Sequence, residues 1–389
     1  MTSGTLAKPT LRPTSPNFSC GPCAKHPGWS LAGLKDAVLG RSHRAKLGKD
    51  RLKRAIEETK ALLELPSDYI VGIMAGSDTG AVEAALWSLL GPRPVDVFAW
   101  ESFGKDWVTD CIKQLKPLEA RSFVADFGKL PDLKQANQAH DVIFTWNGTT
   151  SGVIVPNADW ISDTREGLTI CDATSSALAV PMPWHKLDVI TYSWQKVLGG
   201  EAQHGILILS PRAVARLESH KPAWPVPKIF RLTKDGKVNK GIFEGETINT
   251  PSMLCVEDAL DAMTWARAVG GTKGLATRTQ ANYKALSSWV DQTPWITYLC
   301  ADAATRSPTS VCLKLANTTL DAEAQAAFCK KIASLLEKEG VAFDINSYRD
   351  APPGFRIWCG ATVEAADIRA LTQWLDWAYA ASQAEAQAA

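Results

Sequence analysis

Neither sign of charge predominates in this sequence: 42 Lys and Arg stand against 41 Asp and Glu, a net charge of +1. Without a basic field, neither nucleic acid nor an anionic membrane surface is an expected partner. No apolar run reaches the roughly 20 residues that span a bilayer. The opening stretch, MTSGTLAKPTLRPTSPNFS, lacks the apolar core of a secretion signal, so the cytoplasm is the expected compartment. The nine cysteines are odd in number and irregularly spaced, which points to reduced thiols and not a disulfide framework. No second C-x-x-C and no His pair completes a zinc site, so no metal is expected. Cys20-Gly21-Pro22-Cys23 copies a thioredoxin-like tetrapeptide, but it follows a Pro-rich arm. Lys25-His26-Pro27-Gly28 then interrupts any helix that could lower a thiol pKa, so no redox role is expected.

What is there is a chain of 389 residues, 46% of them hydrophobic, too long for one ordinary core. Residues 1–16, rich in Pro, Ser and Thr, read as an extended arm. Residues 17–260 read as a large α/β domain in which short β-branched runs alternate with helical periodicity. The runs at Tyr69–Met74, Val95–Trp100, Val142–Thr145, Leu168–Cys171, Asp188–Tyr192 and Gly205–Leu209 have the length of buried strands. Pro222–Lys240 reads as a long basic loop. Residues 261–389 read as a smaller α+β domain, with helices at 283–292, 322–338 and 365–380 and strands at 311–315 and 355–358. The tail SQAEAQAA is expected to fray.

Two strand ends carry the chemistry. The run Leu168–Cys171 stops at Asp172, and Asp188–Tyr192 stops at Ser193-Trp194-Gln195-Lys196. An acid and a lysine thus sit just past the carboxyl ends of neighbouring runs, the edge at which open α/β sheets bind ligands. Pyridoxal phosphate needs a lysine to hold it covalently and a carboxylate to keep its ring nitrogen protonated. Asp172 and Lys196 suit those two roles.

Other strand ends add candidates. The loop Gly76-Ser77-Asp78-Thr79-Gly80 joins a strand to a helix, an arrangement whose free N–H groups bind phosphate. Ser77 and Thr79 can add hydroxyl donors. Asp78 would have to turn its carboxylate away and lend only its amide. Phe103 could lie against a cofactor ring, with Trp107, one turn on, as its competitor. Asn147 and Thr149 follow another strand end. His43-Arg44 and Arg356 are candidates for anion recognition, since arginine matches a carboxylate or phosphate as a fork. His204 reads as structural.

As an ordered set, these residues resemble the class V, fold-type I pyridoxal-phosphate aminotransferases, and within them the phosphoserine aminotransferase family. The resemblance covers nearly the whole chain. It rests on Asn17-Phe18-Ser19-Cys20-Gly21-Pro22, Ser42-His43-Arg44, Asn147-x-Thr149, Asp172, Gln195-Lys196, Asn249-Thr250-Pro251 and Phe355-Arg356-Ile357. It implies an α/β fold with a large, mostly parallel, seven-stranded-type sheet sandwiched by helices and a smaller α+β C-terminal domain. It implies amino transfer between glutamate and 3-phosphohydroxypyruvate in serine biosynthesis, with phosphohydroxythreonine of pyridoxine synthesis as a second substrate. Another class V activity, on serine and pyruvate or alanine and glyoxylate, is the alternative.

The resemblance also implies roles. Lys196 and Asp172 would be catalytic. Ser77, Asp78, Thr79, Phe103, Thr149, Gln195, Asn249 and Thr250 would hold the cofactor, and His43, Arg44 and Arg356 the substrate. Asn249-Thr250 and His43-Arg44 would come from the partner in a homodimer. One departure stands out: the better-known bacterial branch carries an arginine in the loop matching Gly76–Gly80, where this chain has Asp78. The basic segment Lys228-Ile229-Phe230-Arg231 is the candidate replacement.

Overall fold

A computed structural model of the chain describes residues 6–116 and 118–388, with side chains described to residue 385. Residues 1–5 of the expected arm lie outside the described residues.

Seven strands form the main sheet: β1 (Ile70–Ala75), β2 (Val95–Ala99), β3 (Ala120–Val124), β4 (Asp141–Thr145), β5 (Thr169–Asp172), β6 (Val189–Ser193) and β7 (His204–Leu209). Their order across the sheet is β1-β7-β6-β5-β4-β2-β3. β7 runs antiparallel to both its neighbours, pairing Ile73 with Ile206 and Thr191 with Leu207; the remaining pairs are parallel. Strands β2, β4, β5, β6 and β7 are buried along their whole length, as a sheet covered on both faces requires.

Period-two alternation divides each strand between two cores. Ile206 and Ile208 join Val71, Ile73, Phe144 and Ile190 in one, packed beneath helix α1 (Lys46–Leu63). Leu207 and Leu209 join Val95, Ile143, Ile170 and Val189 in the other, beneath helices α2 (Ser77–Leu89) and α4 (Pro211–Ser219). Between these two helices in sequence lies the short α3 (Ser102–Thr109).

The smaller part carries a three-stranded antiparallel sheet, β8 (Ile296–Tyr298), β9 (Ser310–Leu315) and β10 (Phe355–Trp358), with α7 (Ala322–Lys338) and α8 (Ala365–Ala388). Two further helices, α5 (Met253–Ala268) and α6 (Gly271–Val290), lead into it. Residue 260 falls inside α5. The N-terminal segment crosses back to this part: Asp367 accepts from the amides of Thr14 and Ser15, and Trp358 donates its amide to the Phe18 carbonyl at 3.0 Å.

Four local expectations are corrected. Leu31–Leu39, whose composition suggests a short helix, is a single 3-10 turn, Leu31–Leu34, cut short before the Gly40 turn at φ 65°. The edge strand β3 was not expected, because its residues are mostly exposed and carry no buried run. The helix read from 283 starts at Gly271, its glycine-rich first turns hiding the periodicity. The tail continues α8 through Ala388 and does not fray from Ser382. All nine cysteines are unpaired. Among the described residues, no helix is long and apolar enough to cross a membrane.

Candidate active site

Five strand ends on one edge of the main sheet enclose a cleft of about 470 Å³, its mouth included. Its lining is Ser77, Asp78 and Thr79 after β1, Glu101, Phe103 and Trp107 after β2, and Thr145, Asn147 and Thr149 after β4. Asp172 and Thr174 follow β5, and Gln195 and Lys196 follow β6. Parallel pairing puts these ends on the same edge, and the strand order makes β5 and β6 neighbours. Asp172 and Lys196 therefore meet in one cavity.

Lys196 is buried, and its Nζ donates to the Cys20 carbonyl at 2.5 Å. Gly21 packs against that amine so closely that a side chain there would overlap Nζ. The tetrapeptide Cys20–Cys23 thus closes one wall around the lysine. Burial raises both of its thiols above the ordinary range.

Asp172 is fixed on both oxygens. Trp107 donates its indole N–H to Oδ2 at 3.2 Å, and the Thr174 amide donates to Oδ1 at 3.0 Å. Both candidate aromatics line the cleft, and they differ in burial. Trp107 is buried with its N–H on Asp172, whereas Phe103 is half-exposed and offers its ring to the cleft.

The loop after β1 begins a helix. Gly76 and Ser77 both adopt left-handed backbone, φ 84° and 58°, and Ser77 is a non-glycine residue held there. Their amides donate to the Gln203 carbonyl. The first-turn amides of Asp78 and Thr79 have no acceptor further back along α2. Gln195 Nε2 donates to Ser77 Oγ at 2.9 Å, and Ser77 and Ser193 hydroxyls lie 3.0 Å apart. A cluster of hydroxyls, an amide side chain and helix-start N–H groups is suited to an anion.

The opposite wall is also polar. Asn147 Nδ2 and Thr149 Oγ1 both donate to Ser175 Oγ, at 2.7 and 2.8 Å. Four lining residues carry a buried polar atom without a partner: Asp78 Oδ1, Thr145 Oγ1, Asn147 Oδ1 and Thr174 Oγ1. Buried polar groups are seldom left so, and several in one cavity mark a place for a polar ligand.

Sequence reasoning misses two residues in or beside the cleft. Glu101 is fully buried and caps α3 through the Gly104 amide; burial pushes its carboxyl up to about 7. Tyr348 sets its ring 5.5 Å from Phe103 and 5.3 Å from the Arg356 guanidinium, and Arg349 stands 5.3 Å over the same ring. The run Tyr348-Arg349 just ahead of the Arg356 strand was the available clue.

Other expected residues lie elsewhere. Arg356, half-buried on β10, has an unpartnered buried Nε but does not line the cleft. Asn249, Thr250 and Arg44 are exposed, His43 is buried, and none lines the cleft. His204 is buried, takes the Ser252 amide on Nε2, and is held down to about 4 by burial, as suits a structural histidine. Lys228–Phe230 forms a 3-10 turn whose Phe230 carbonyl accepts from Ser88, near the far end of α2. By helix rise this is roughly 16 Å from Ser77. Within one subunit this segment does not replace an arginine in the loop.

Sheet order, with an acid and a lysine at its carboxyl edge, defines the fold class as that of the fold-type I aminotransferases. No family model matches the chain. A phosphoserine aminotransferase of Methanosarcina barkeri is 59% identical over 372 residues, 96% of this chain and 99% of the relative. One of Methanosarcina mazei is 58% identical over the same span. Among solved structures, a phosphoserine aminotransferase from Cytophaga hutchinsonii gives a TM-score of 0.79 at 22% identity, covering 92% of this chain and 97% of that one. The chain belongs to the phosphoserine aminotransferase family.

Proposed function

We propose that the protein uses pyridoxal phosphate to transfer an amino group between glutamate and 3-phosphohydroxypyruvate, giving O-phosphoserine and 2-oxoglutarate. The observation that carries this is Lys196 and Asp172 in one buried cleft with a helix-start anion loop. The family's activity supplies the substrates.

The cleft's residues fit the cofactor by their chemistry. Lys196 would hold it covalently, and Asp172, braced by Trp107 and Thr174, would keep a proton on the ring nitrogen. Ser77, Thr79 and Gln195 would take its phosphate. Phe103 would cover one ring face, and Thr149, with the unpartnered Asn147 Oδ1 beside it, would meet the ring's polar edge. When bound, pyridoxal phosphate supplies an electron sink for the substrate α-carbon. The Lys196 amine would then move the proton that leaves that carbon. Arg356 would take the α-carboxylate as a bidentate fork, and Arg349 adds a cation on the same side.

A homodimer completes this reading. His43, Arg44, Asn249 and Thr250 lie outside the cleft of their own subunit. The same chain segments expose Leu31, Leu39, Leu47 and Leu254, apolar surface suited to a second copy. The partner would bring Asn249-Thr250 to the cofactor phosphate and His43-Arg44 to the substrate phosphate. The expected compartment is the cytoplasm, where nine unpaired cysteines stay reduced.

The deciding assay couples glutamate and 3-phosphohydroxypyruvate turnover to 2-oxoglutarate detection, with pyruvate and glyoxylate as competing acceptors. Preference for either competitor would overturn the substrate assignment. Borohydride reduction and peptide mapping should place a pyridoxyl label on Lys196. Mixing Lys196→Ala with Asn249→Ala/Thr250→Ala subunits should restore about a quarter of wild-type activity if sites are shared across the dimer. No recovery would count against shared sites.

A further inference from the structure

We propose that Asp78 and Asp172 form an acid–carboxylate pair in the cofactor cleft, with Asp78 keeping a proton and Asp172 the charge. The inference rests on the pyridoxal-phosphate reading only for its consequence; the pair itself is a property of the protein.

The two residues line the same cleft from different elements, Asp78 in the first turn of α2 and Asp172 at the end of β5. They are 7% and 6% exposed. Asp78's carboxyl faces Asp172, Thr174 and Thr191, yet its Oδ1 and both threonine hydroxyls lack a well-aligned hydrogen bond. Among the described residues, no cation pairs with Asp78. Among the described residues, Lys196 is the sole cation lining the cleft, and its amine is on the Cys20 carbonyl.

Two buried carboxylates that line one cavity with no cation set against Asp78 do not both ionise readily. The donors decide which one keeps the charge. Asp172 receives two N–H groups, from Trp107 and Thr174, whereas Asp78 receives none from a side-chain nitrogen. Burial first, and the Asp172 charge next, hold the Asp78 carboxyl well above the usual range. The start of α2 favours an anion there, but helix-end attraction is weaker than repulsion from a buried neighbour of like charge. The other titratable groups nearby do not change the sign. Glu101 is a third buried acid, itself raised to about 7 by burial first and by the Asp172 charge among the lesser causes, and His204, bridged to Ser77 on the β7 side, is buried and neutral.

The proton answers how an acid can sit in a phosphate-binding loop. A neutral Asp78 adds no repulsion against a phosphate held by Ser77 and Thr79. It also leaves Asp172 as the one formal charge opposite the ring nitrogen. Asp78 is thus a positioning residue for the cofactor, and its ionisation as pH rises should loosen cofactor binding.

Infrared difference spectra of wild type against Asp78→Asn at neutral pH test the pair directly. A protonated-carboxyl stretch that moves in deuterium oxide and vanishes in the variant is expected. Its absence from the wild type would overturn the proposal. Equilibrium binding of pyridoxal phosphate measured as pH is raised gives the second readout. Wild-type affinity should fall by about tenfold per pH unit beyond the Asp78 ionisation, while Asp78→Asn stays within about twofold. Parallel curves would refute the pair. Asp78→Ser serves both measurements if the amide variant does not fold. If neither protein binds pyridoxal phosphate, the cofactor reading fails, and the infrared result still decides the pair.

Discussion

Trp107 donates its indole N–H to Asp172 across the gap between α3 and β5, at 3.2 Å. The bond joins a side chain one turn into a helix to an acid about 65 residues later. It explains why a tryptophan next to the expected ring-stacking position is buried. A hydrogen bond to a charged group contributes about 1.5–3 kcal/mol. Trp107→Phe keeps the bulk and removes the donor. It should weaken pyridoxal phosphate binding by about tenfold or more, measured by fluorescence titration, with little change in the far-ultraviolet spectrum. Unchanged affinity would mean that Thr174 alone orients the acid.

Gly205 lies where β7 passes under the anion loop. A methyl at this position would overlap the Ser77 carbonyl and the Ala81 side chain. Gly205→Ala should destabilise the fold by about 1–3 kcal/mol through overpacking, read as a shift of the urea midpoint. Because the displaced atoms belong to Ser77, cofactor affinity should drop as well. A loss of stability with binding intact would separate the loop from the strand beneath it.

Arg356 tests the substrate side. Arg356→Lys keeps the charge but loses the planar fork. The KM for glutamate should rise by about tenfold while the cofactor's absorption spectrum stays the same. A fall in kcat with KM unchanged would place Arg356 outside substrate binding.

His204 gives a pH dependence whose sign follows from its burial. Its folded pKa is held down to about 4, below the ordinary 6.5. The neutral imidazole is the folded form, so the stability it contributes is complete above pH 6.5. That contribution is lost as pH falls from 6.5 through 4, up to about 3 kcal/mol. Denaturant midpoints at pH 7 and 4.5 should differ less in His204→Asn than in wild type. Equal pH slopes would remove His204 from the acid lability.

Much of this protein is legible along the chain. The buried strands announce themselves as β-branched runs, and Asp172 and Lys196 follow directly from where two of those runs stop. Helix α4 starts at Pro211 and ends at Ser219 as its proline and periodicity indicate. Strand β3 escapes notice because an edge strand carrying Arg121 and Ser122 has no buried run to read. The first turns of α6 escape because Gly271-Thr272-Lys273-Gly274 looks like a loop until its packing is known.

The site divides the same way. Local sequence determined which residues end each strand, since strand propensity and turn chemistry act over a few neighbours. Only the tertiary structure decided which of those ends share a cavity. The strand order β1-β7-β6-β5-β4-β2-β3 sets chain segments far apart in sequence side by side. That order brings Trp107 to Asp172 and sets Asp78 in the same cavity as that acid, and the packing of the small sheet places Tyr348 between Phe103 and Arg356. Such meetings depend on long-range packing, which no short window of residues encodes.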